Sequence, residues 1–229
     1  MQNKPIGIIG AMKIEVEGLK AAMTDVKEEI VSGVTFTCGT LEGHRVVCAV
    51  SGVGKVFAAI AAEAMILHFG VGALLNTGVA GGLLPELEVG DVALADKVVQ
   101  HDMNTTALGD APGLISGLNV VEIAADQTLL RALCEATAAL EYNGVVGTVA
   151  SGDLFVAKQS TKDKIVSTFG AVACEMEGAA IGHVAHVNGV PFAVLRVISD
   201  GGDGMEFTEF VSLAAERSVA LTKEFLKLL

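Results

Sequence analysis

No Asp, Glu, Lys or Arg occurs between residues 64 and 85 of this chain. A run of that length is long enough to cross a bilayer, but five glycines, Asn76 and Thr77 fall inside it. It reads instead as the end of a helix, a turn, and a strand over 72–79 with almost nothing polar before Asn76, closed by a Gly-rich turn at Ala80-Gly-Gly82. A strand that apolar belongs in a sheet whose two faces are both covered by helices. The rest of the chain has to supply those layers.

The pattern does supply them. Further strands are expected over 5–10, 34–41, 44–51, 91–99, 144–151, 172–175 and 192–199, with a hairpin turn at Glu42-Gly43. Helices are expected over 13–23, with Ile14, Leu19 and Met23 inward, and over 54–69, 127–140, 161–169, 176–188 and 207–228. Alternating strands and helices imply an α/β layered fold with a largely parallel or mixed sheet. The least patterned stretch, 101–119, is polar and Gly-rich with one Pro, and reads as a functional or interface loop. With no linker and no repeat, residues 1–229 are expected to form a single domain.

Charge narrows the function. The 15 basic and 27 acidic residues leave a net charge of −12, and the four arginines (Arg45, Arg131, Arg196, Arg217) are scattered. A phosphodiester backbone would be repelled, so no nucleic-acid partner is expected. Lys158, Lys162 and Lys164 read as a solvated helix end. The first residues carry one Lys and an apolar stretch broken by Gly, too short for a signal-peptide core. Cys38, Cys48, Cys134 and Cys174 form no CxxC pair and read as buried thiols, which points to the cytoplasm and to neither a disulfide framework nor zinc. His183 and His186 share a helix face but have no third ligand nearby, so they read as an ordinary packed helix.

In open α/β sheets ligands sit beyond the carboxyl ends of strands, which draws attention to six segments. These are Gly10-Ala-Met12, Ser51-Gly-Val-Gly54, Thr77-Gly-Val-Ala-Gly-Gly82, Ser151-Gly-Asp-Leu-Phe155, Glu175-Met-Glu177 and Ser199-Asp200. Gly52-Val-Gly-Lys55 resembles the tail of a phosphate loop, but Ala49 and Val56 stand where the Walker pattern needs Gly and Ser or Thr. Its backbone N–H groups remain available at a helix start. Asp200 ends an apolar strand, where burial raises a carboxyl pKa and makes a proton donor; the plain alternative is a turn into Gly201-Gly202. Glu175 and Glu177 flank Met176 and cannot both point the same way, so one is expected to face the pocket, against the alternative of helix-start charge. Glu15 reads equally as a surface residue in a first helical turn, and Phe155 and Phe207 as core. Singly, none decides anything.

Together the segments resemble the purine nucleoside phosphorylase and nucleosidase superfamily, and within it the 5′-methylthioadenosine/S-adenosylhomocysteine nucleosidases. The resemblance rests on six motifs in order: Gly7 to Met12, Ser51 to Lys55, Asn76 to Leu83, Ser151 to Phe155, Glu175 to Ala180 and Arg196 to Asp200. It implies a three-layer nucleoside-phosphorylase-like fold, a central twisted mixed sheet flanked by helices. It also implies hydrolysis of the N-glycosidic bond of an adenine thionucleoside, a step of methionine salvage. By resemblance Asp200 is the general acid at purine N7, oriented by Ser199, and Glu15 the base that activates water. Glu177 holds the ribose hydroxyls over Met176, Phe155 stacks on the base, and the backbone of Val156 reads its edge. Met12 and Phe207 line the alkylthio end, Val53 lies near the ribose, and Ala80 and Gly81 belong to the binding wall. A homodimer is implied, with Met103 and Leu108 of one protomer closing the partner's site, and no metal or cofactor.

The chain departs from the family in two places. Val79 stands where the family commonly has Ser, which removes a hydroxyl beside the expected water, and the segment Gly201-Gly-Asp-Gly-Met205 is short and Gly-rich. Three rival readings stay in view. A phosphorylase on the same fold should gather arginines around phosphate, a futalosine-type nucleosidase would differ at the 5′ group, and a non-catalytic nucleoside-binding protein should lack one of the three carboxylates.

Overall fold

The computed structural model describes residues 4–201 and 204–229. The uncharged run forms the end of α2 (Lys55–Leu67), a turn, and β5 (Ala73–Gly82). Residues 73–80 of β5 are all buried. Leu74 and Leu75 point to opposite faces, and each stabilises its layer by about 1.5–3 kcal/mol when fully buried. On one side β5 pairs in parallel with β10 (Phe192–Asp200), from Leu74↔Phe192 to Gly81↔Asp200.

The sheet continues from β10 to β6 (Val92–Gln100), β8 (Gly144–Ser151) and β9 (Ala171–Glu175), and β9 returns to β5 at Gly81 and Gly82. Those five strands close a ring. A wing of β1 (Ile6–Gly10), β4 (His44–Val50), β3 (Val34–Leu41) and β2 (Thr24–Val31) extends from the other edge of β5. The short β7 (Glu122–Ala124) pairs with β6. The sheet is mixed: β1, β5 and β10 run parallel, whereas β6 is antiparallel to β10 and β9 to β5.

Side-chain alternation makes the layers. Ile6, Ile8, Ala73 and Leu75 pack with Val16 and Leu19 of α1 (Lys13–Ala22), Leu129 and Leu133 of α3 (Gln127–Ala139) and Phe225 of α6 (Gly204–Lys227). Ile9, Leu74 and Val194 face the other way, onto Ala58, Ala62 and Met65 of α2 and Ile181 of α5 (Gly178–Asn188). The remaining helix, α4 (Gln159–Phe169), packs beside β8 and β9. The three-layer α/β/α arrangement matches the expectation.

Several details differ from the sequence reading. β2 was not expected, because an edge strand needs no apolar face: Lys27, Glu28 and Glu29 are exposed on it, and such charge also blocks edge-to-edge pairing. β5 does not turn at residue 80 but runs on to Gly82, because β9 supplies a new partner there. α1 is rotated from the expected face, so that Glu15, Val16 and Leu19 are inward and Ile14 is exposed. Cys48 and Cys174 are buried as expected, but Cys38 and Cys134 keep contact with solvent.

The feature that places the site is a change of partner along β5. β1 accompanies that edge only to Asn76, and β9 joins it only at Gly81. Over residues 77–80 the edge opens, at the point where β1, β5 and β10 all deliver their carboxyl ends.

Candidate active site

At this opening lies a cavity of about 260 Å³. Met12, Glu15, Val53, Ala80, Gly81, Phe155, Met176, Glu177, Ser199, Asp200 and Phe207, all singled out from the sequence, line it together with Ala11, Val79, Cys174 and Glu175. Val156 lines an adjoining recess of about 40 Å³ that shares Gly81, Phe155, Met176 and Asp200 as walls. Met103 is half-buried and Leu108 exposed in the loop after β6, and neither lines this cavity. Of the segment after Asp200, Gly202 and Asp203 lie outside the described residues.

Glu15 is turned inward by the helix start that carries it. Met12 offers no capping side chain, so Glu15 folds back and its Oε2 accepts the Met12 N–H at 2.8 Å, one half of a capping box. Its Oε1 accepts the Val79 N–H at 3.1 Å, a donor that β5 releases between its two partner strands. A Cβ on Gly78 would overlap Glu15 Oε1, and one on Gly10 would lie 3.1 Å from Glu15 Cβ. Those two glycines are the room this side chain occupies. Burial raises the Glu15 pKa, and the charge of Arg196 and the two N–H groups offset part of that.

Arg196 is the functional residue that the sequence reading left aside. It lies fully buried in the middle of β10 and donates through Nη2 to Asn76 Oδ1 and Glu175 Oε2, 3.6 Å from Glu177 Oε2. The signal was present: an Arg and an Asn inside two otherwise apolar strands are tolerated only when paired. A Cβ on Gly78 would also come within 2.8 Å of Arg196 Nη1, which places the guanidinium beside the Glu15 carboxyl.

The two neighbouring glutamates differ in their partners, although both line the cavity where only one was expected to face it. Glu175 is consumed by structure: it accepts from Arg196, from Ser151 Oγ, and from the N–H groups of Glu177 (2.9 Å) and Gly178 (2.8 Å) at the start of α5. Burial opposes its charge, but Arg196 and the Ser151 hydroxyl outweigh burial and hold its pKa below the ordinary value. Glu177 takes one backbone donor, the Gly54 N–H at 2.8 Å. Burial first, then repulsion from Glu175, pushes its pKa up to about 7. The Gly54 backbone group that resembled a phosphate cradle therefore serves a carboxylate of the same chain.

Asp200 is buried at the end of β10, and Ser199 Oγ donates to its Oδ2 at 2.8 Å. Asp200, Gly81 and Cys174 stand in register across three strands. Because Gly81 has no side chain, a notch opens there; a Cβ would lie 3.4 Å from Asp200 Oδ1 and 3.6 Å from Cys174 Sγ. Burial, then the charges of Asp200 and Glu175, pushes the Cys174 thiol up to about 12, so it stays protonated. Phe155 and Phe207 meet edge to face at the mouth, centroids 5.7 Å apart. Among the described residues no cluster of three or more His, Cys, Asp or Glu is placed to hold a metal ion.

The site thus sets three carboxyl groups, Glu15, Glu175 and Glu177, around the Arg196 guanidinium, with Asp200 in the same cavity at the end of β10. An open groove of about 970 Å³ between α2 and α5 is larger; its lining is mostly apolar, and Lys55, Gln100, Asp153 and His183 are among its polar groups. The converging carboxyl groups lie in the smaller cavity.

The chain is similar to known proteins over nearly its whole length. The phosphorylase superfamily profile matches residues 5–227. The 5′-methylthioadenosine/S-adenosylhomocysteine nucleosidase of Marinomonas sp. (strain MWYL1) is 39% identical over 230 residues, 97% of this chain and 98% of that protein. The crystal structure of the Neisseria meningitidis enzyme of the same name, in complex with methylthio-immucillin-A, is similar with a TM-score of 0.95 at 36% identity, covering 99% of this chain and 100% of that one. Futalosine hydrolase of Helicobacter pylori strain 26695 is similar with a TM-score of 0.95 at 34% identity, covering 100% and 99%.

Proposed function

Because the chain belongs to the phosphorylase superfamily, and its cavity gathers carboxylates where a phosphorylase would need cations, we propose that it hydrolyses the N-glycosidic bond of 5′-methylthioadenosine and S-adenosylhomocysteine. The carrying observation is the charge around Glu15. The one arginine beside it is already engaged by Asn76, Glu175 and Glu177. A phosphate ion entering there would face uncompensated carboxylates at low dielectric, whereas a water molecule would not.

In this reading Asp200 donates a proton to purine N7 as the N9–C1′ bond breaks, so that adenine leaves neutral. Ser199 Oγ orients the carboxyl by donating to Oδ2, and Oδ1 lies at the Gly81 notch. Glu15 takes a proton from water as its oxygen bonds to C1′, giving the 5-thioribose product. Glu177 accepts from the 2′- and 3′-hydroxyls over Met176 and stabilises the cationic sugar of the transition state, the division of labour known from O-glycoside hydrolysis. Phe155 stacks on the base, the Val156 backbone reads its edge, Met12 and Phe207 take the 5′ substituent, and Val53 lies near the ribose, with Ala80 and Gly81 as the wall. Val79 presents no hydroxyl to the water, which is then oriented by Glu15 and the Arg196 charge. No cofactor enters the scheme.

The chain acts as a single domain in a cytoplasmic homodimer. In support, the groove between α2 and α5 exposes Val56, Leu67 and Val187, apolar side chains suited to burial against a second copy. The exposed Leu108 and its neighbour Met103 would then close the partner's site. Thiols without disulfides suit a reducing compartment. A futalosine-type substrate is the second reading, favoured by the equal structural likeness to futalosine hydrolase. Turnover in ¹⁸O-labelled water tests the reaction class: label in the released sugar establishes hydrolysis, and a sugar 1-phosphate formed only with phosphate refutes it. Futalosine supplied in parallel separates the two substrates.

A further inference from the structure

The three loops that meet above the cavity are tied together by groups that do not line it. α2 begins at Gly54, which has φ +102° and no capping side chain of its own. Two consecutive N–H groups leave this turn toward two carboxylates: Gly54 N–H toward Glu177 Oε1 and Lys55 N–H toward Asp153 Oδ1, both at 2.8 Å. An L-residue at 54 would be strained at that φ, and its Cβ would press within 3.0 Å of Asp153 Oδ1. Asp153 therefore caps α2 from another loop, the one that carries Phe155 and Val156 two and three residues later.

A second carboxylate locks this junction. Asp102 Oδ1 pairs with Lys55 Nζ at 2.6 Å, and Asp102 Oδ2 accepts the Asp153 N–H at 2.8 Å. Lys55 Nζ also reaches Gln100 Oε1 at 3.4 Å. The circuit Lys55–Asp102–Asp153–Lys55 is closed, and it joins the loop after β4, the loop after β6 and the loop after β8. Its output is the position of one donor, the Gly54 N–H, and one base-stacking segment.

We propose that Lys55, Asp102 and Asp153 form a positioning cluster that fixes the distance between the ribose carboxylate Glu177 and the purine loop, without touching substrate. The inference rests on the hydrolase reading above for its kinetic consequences, but not for its structural one. A displacement of even 1 Å in a substrate-positioning group costs about 100-fold in rate. The cluster also acts on Glu177 through Gly54, whose N–H favours the charged carboxylate against the burial and the Glu175 repulsion that oppose it. Glu15 and Arg196, the other charged groups around Glu177, are untouched by substitutions in the cluster.

The test compares Asp102→Asn, Lys55→Met and Lys55→Arg with the unaltered protein. For the first two, KM for 5′-methylthioadenosine rises about 10- to 100-fold with a smaller change in kcat. The Glu177 carboxyl, followed by ¹³C NMR in the free protein, titrates at higher pH than in the unaltered chain. Lys55→Arg, which keeps the ion pair, restores both. Folded variants with lowered Tm but unchanged KM and an unchanged Glu177 titration would reduce the cluster to a surface tie and overturn the proposal. Should Lys55→Met fail to fold, Asp153→Ala removes the acceptor for the Lys55 N–H and reads the same titration. If the unaltered protein cleaves no nucleoside, the hydrolase reading falls, and the Glu177 titration alone still decides for or against the cluster.

Discussion

Glu177 shows how a site residue can be held against its own stability. Its folded pKa lies near 7 against an ordinary 4.5, so between those values the folded chain binds more protons than the unfolded one. Stability contributed by this group therefore falls as pH rises from about 4.5 to about 7, and the cost is fully present above that. At 1.36 kcal/mol per unit the shift is worth on the order of 3 kcal/mol. Glu177→Gln is expected to raise stability in urea by about 1–3 kcal/mol at pH 8 and to change nothing at pH 4.5, while weakening nucleoside binding at both. Equal effects at the two pH values would mean that the carboxyl is not perturbed. The roles of such residues were legible in the sequence only as a set, because a lone glutamate near a helix start has an ordinary explanation. Glu15 and Glu177 are buried for reasons outside their own segments, a released Val79 N–H in one case and the Gly54 N–H in the other.

At the scale of elements, β10 is joined to β5, β9 and α5 through Arg196 as well as through its ladder. Arg196→Met strands the Glu175 carboxylate in a buried environment and is expected to cost about 3–5 kcal/mol, read as a lower urea midpoint. A cost below about 1 kcal/mol would contradict the pairing. Strands that are mostly apolar, such as β1, β5 and β10, were legible because burial on both faces leaves little other composition. β2 was not, since its place is secured by hydrogen bonds to β3 and its side chains meet water. The continuation of β5 past residue 80 was equally hidden: Ala80-Gly-Gly82 reads locally as a turn, and only the arrival of β9, some ninety residues later in the chain, makes it a strand. The rotation of α1 followed from the same kind of distant contact, with Glu15 drawn inward by β5 and Ile14 left outside.

For the whole molecule, the mixed sheet explains where the cavity lies. The ring of β5, β10, β6, β8 and β9 holds one wall and the wing beginning at β1 holds the other, so the cavity opens where the two diverge. The face between α2 and α5 stays uncovered in one chain, with Leu67 and Val56 each 70% exposed. Leu67→Glu combined with Val56→Glu is expected to convert a dimer to a monomer in sedimentation and to raise KM, since the loop bearing Met103 and Leu108 would be withdrawn from the partner's site. A monomeric unaltered protein with full activity would contradict that arrangement. The central claim, that the cavity is a hydrolase site with Asp200 as its acid, is tested most directly by adenine release from 5′-methylthioadenosine in phosphate-free buffer, for the unaltered chain and for Asp200→Asn. The account predicts adenine without phosphate, and a loss of about 10²- to 10⁴-fold in turnover for the variant with adenine binding retained. A strict requirement for phosphate, or full turnover by Asp200→Asn, would contradict it.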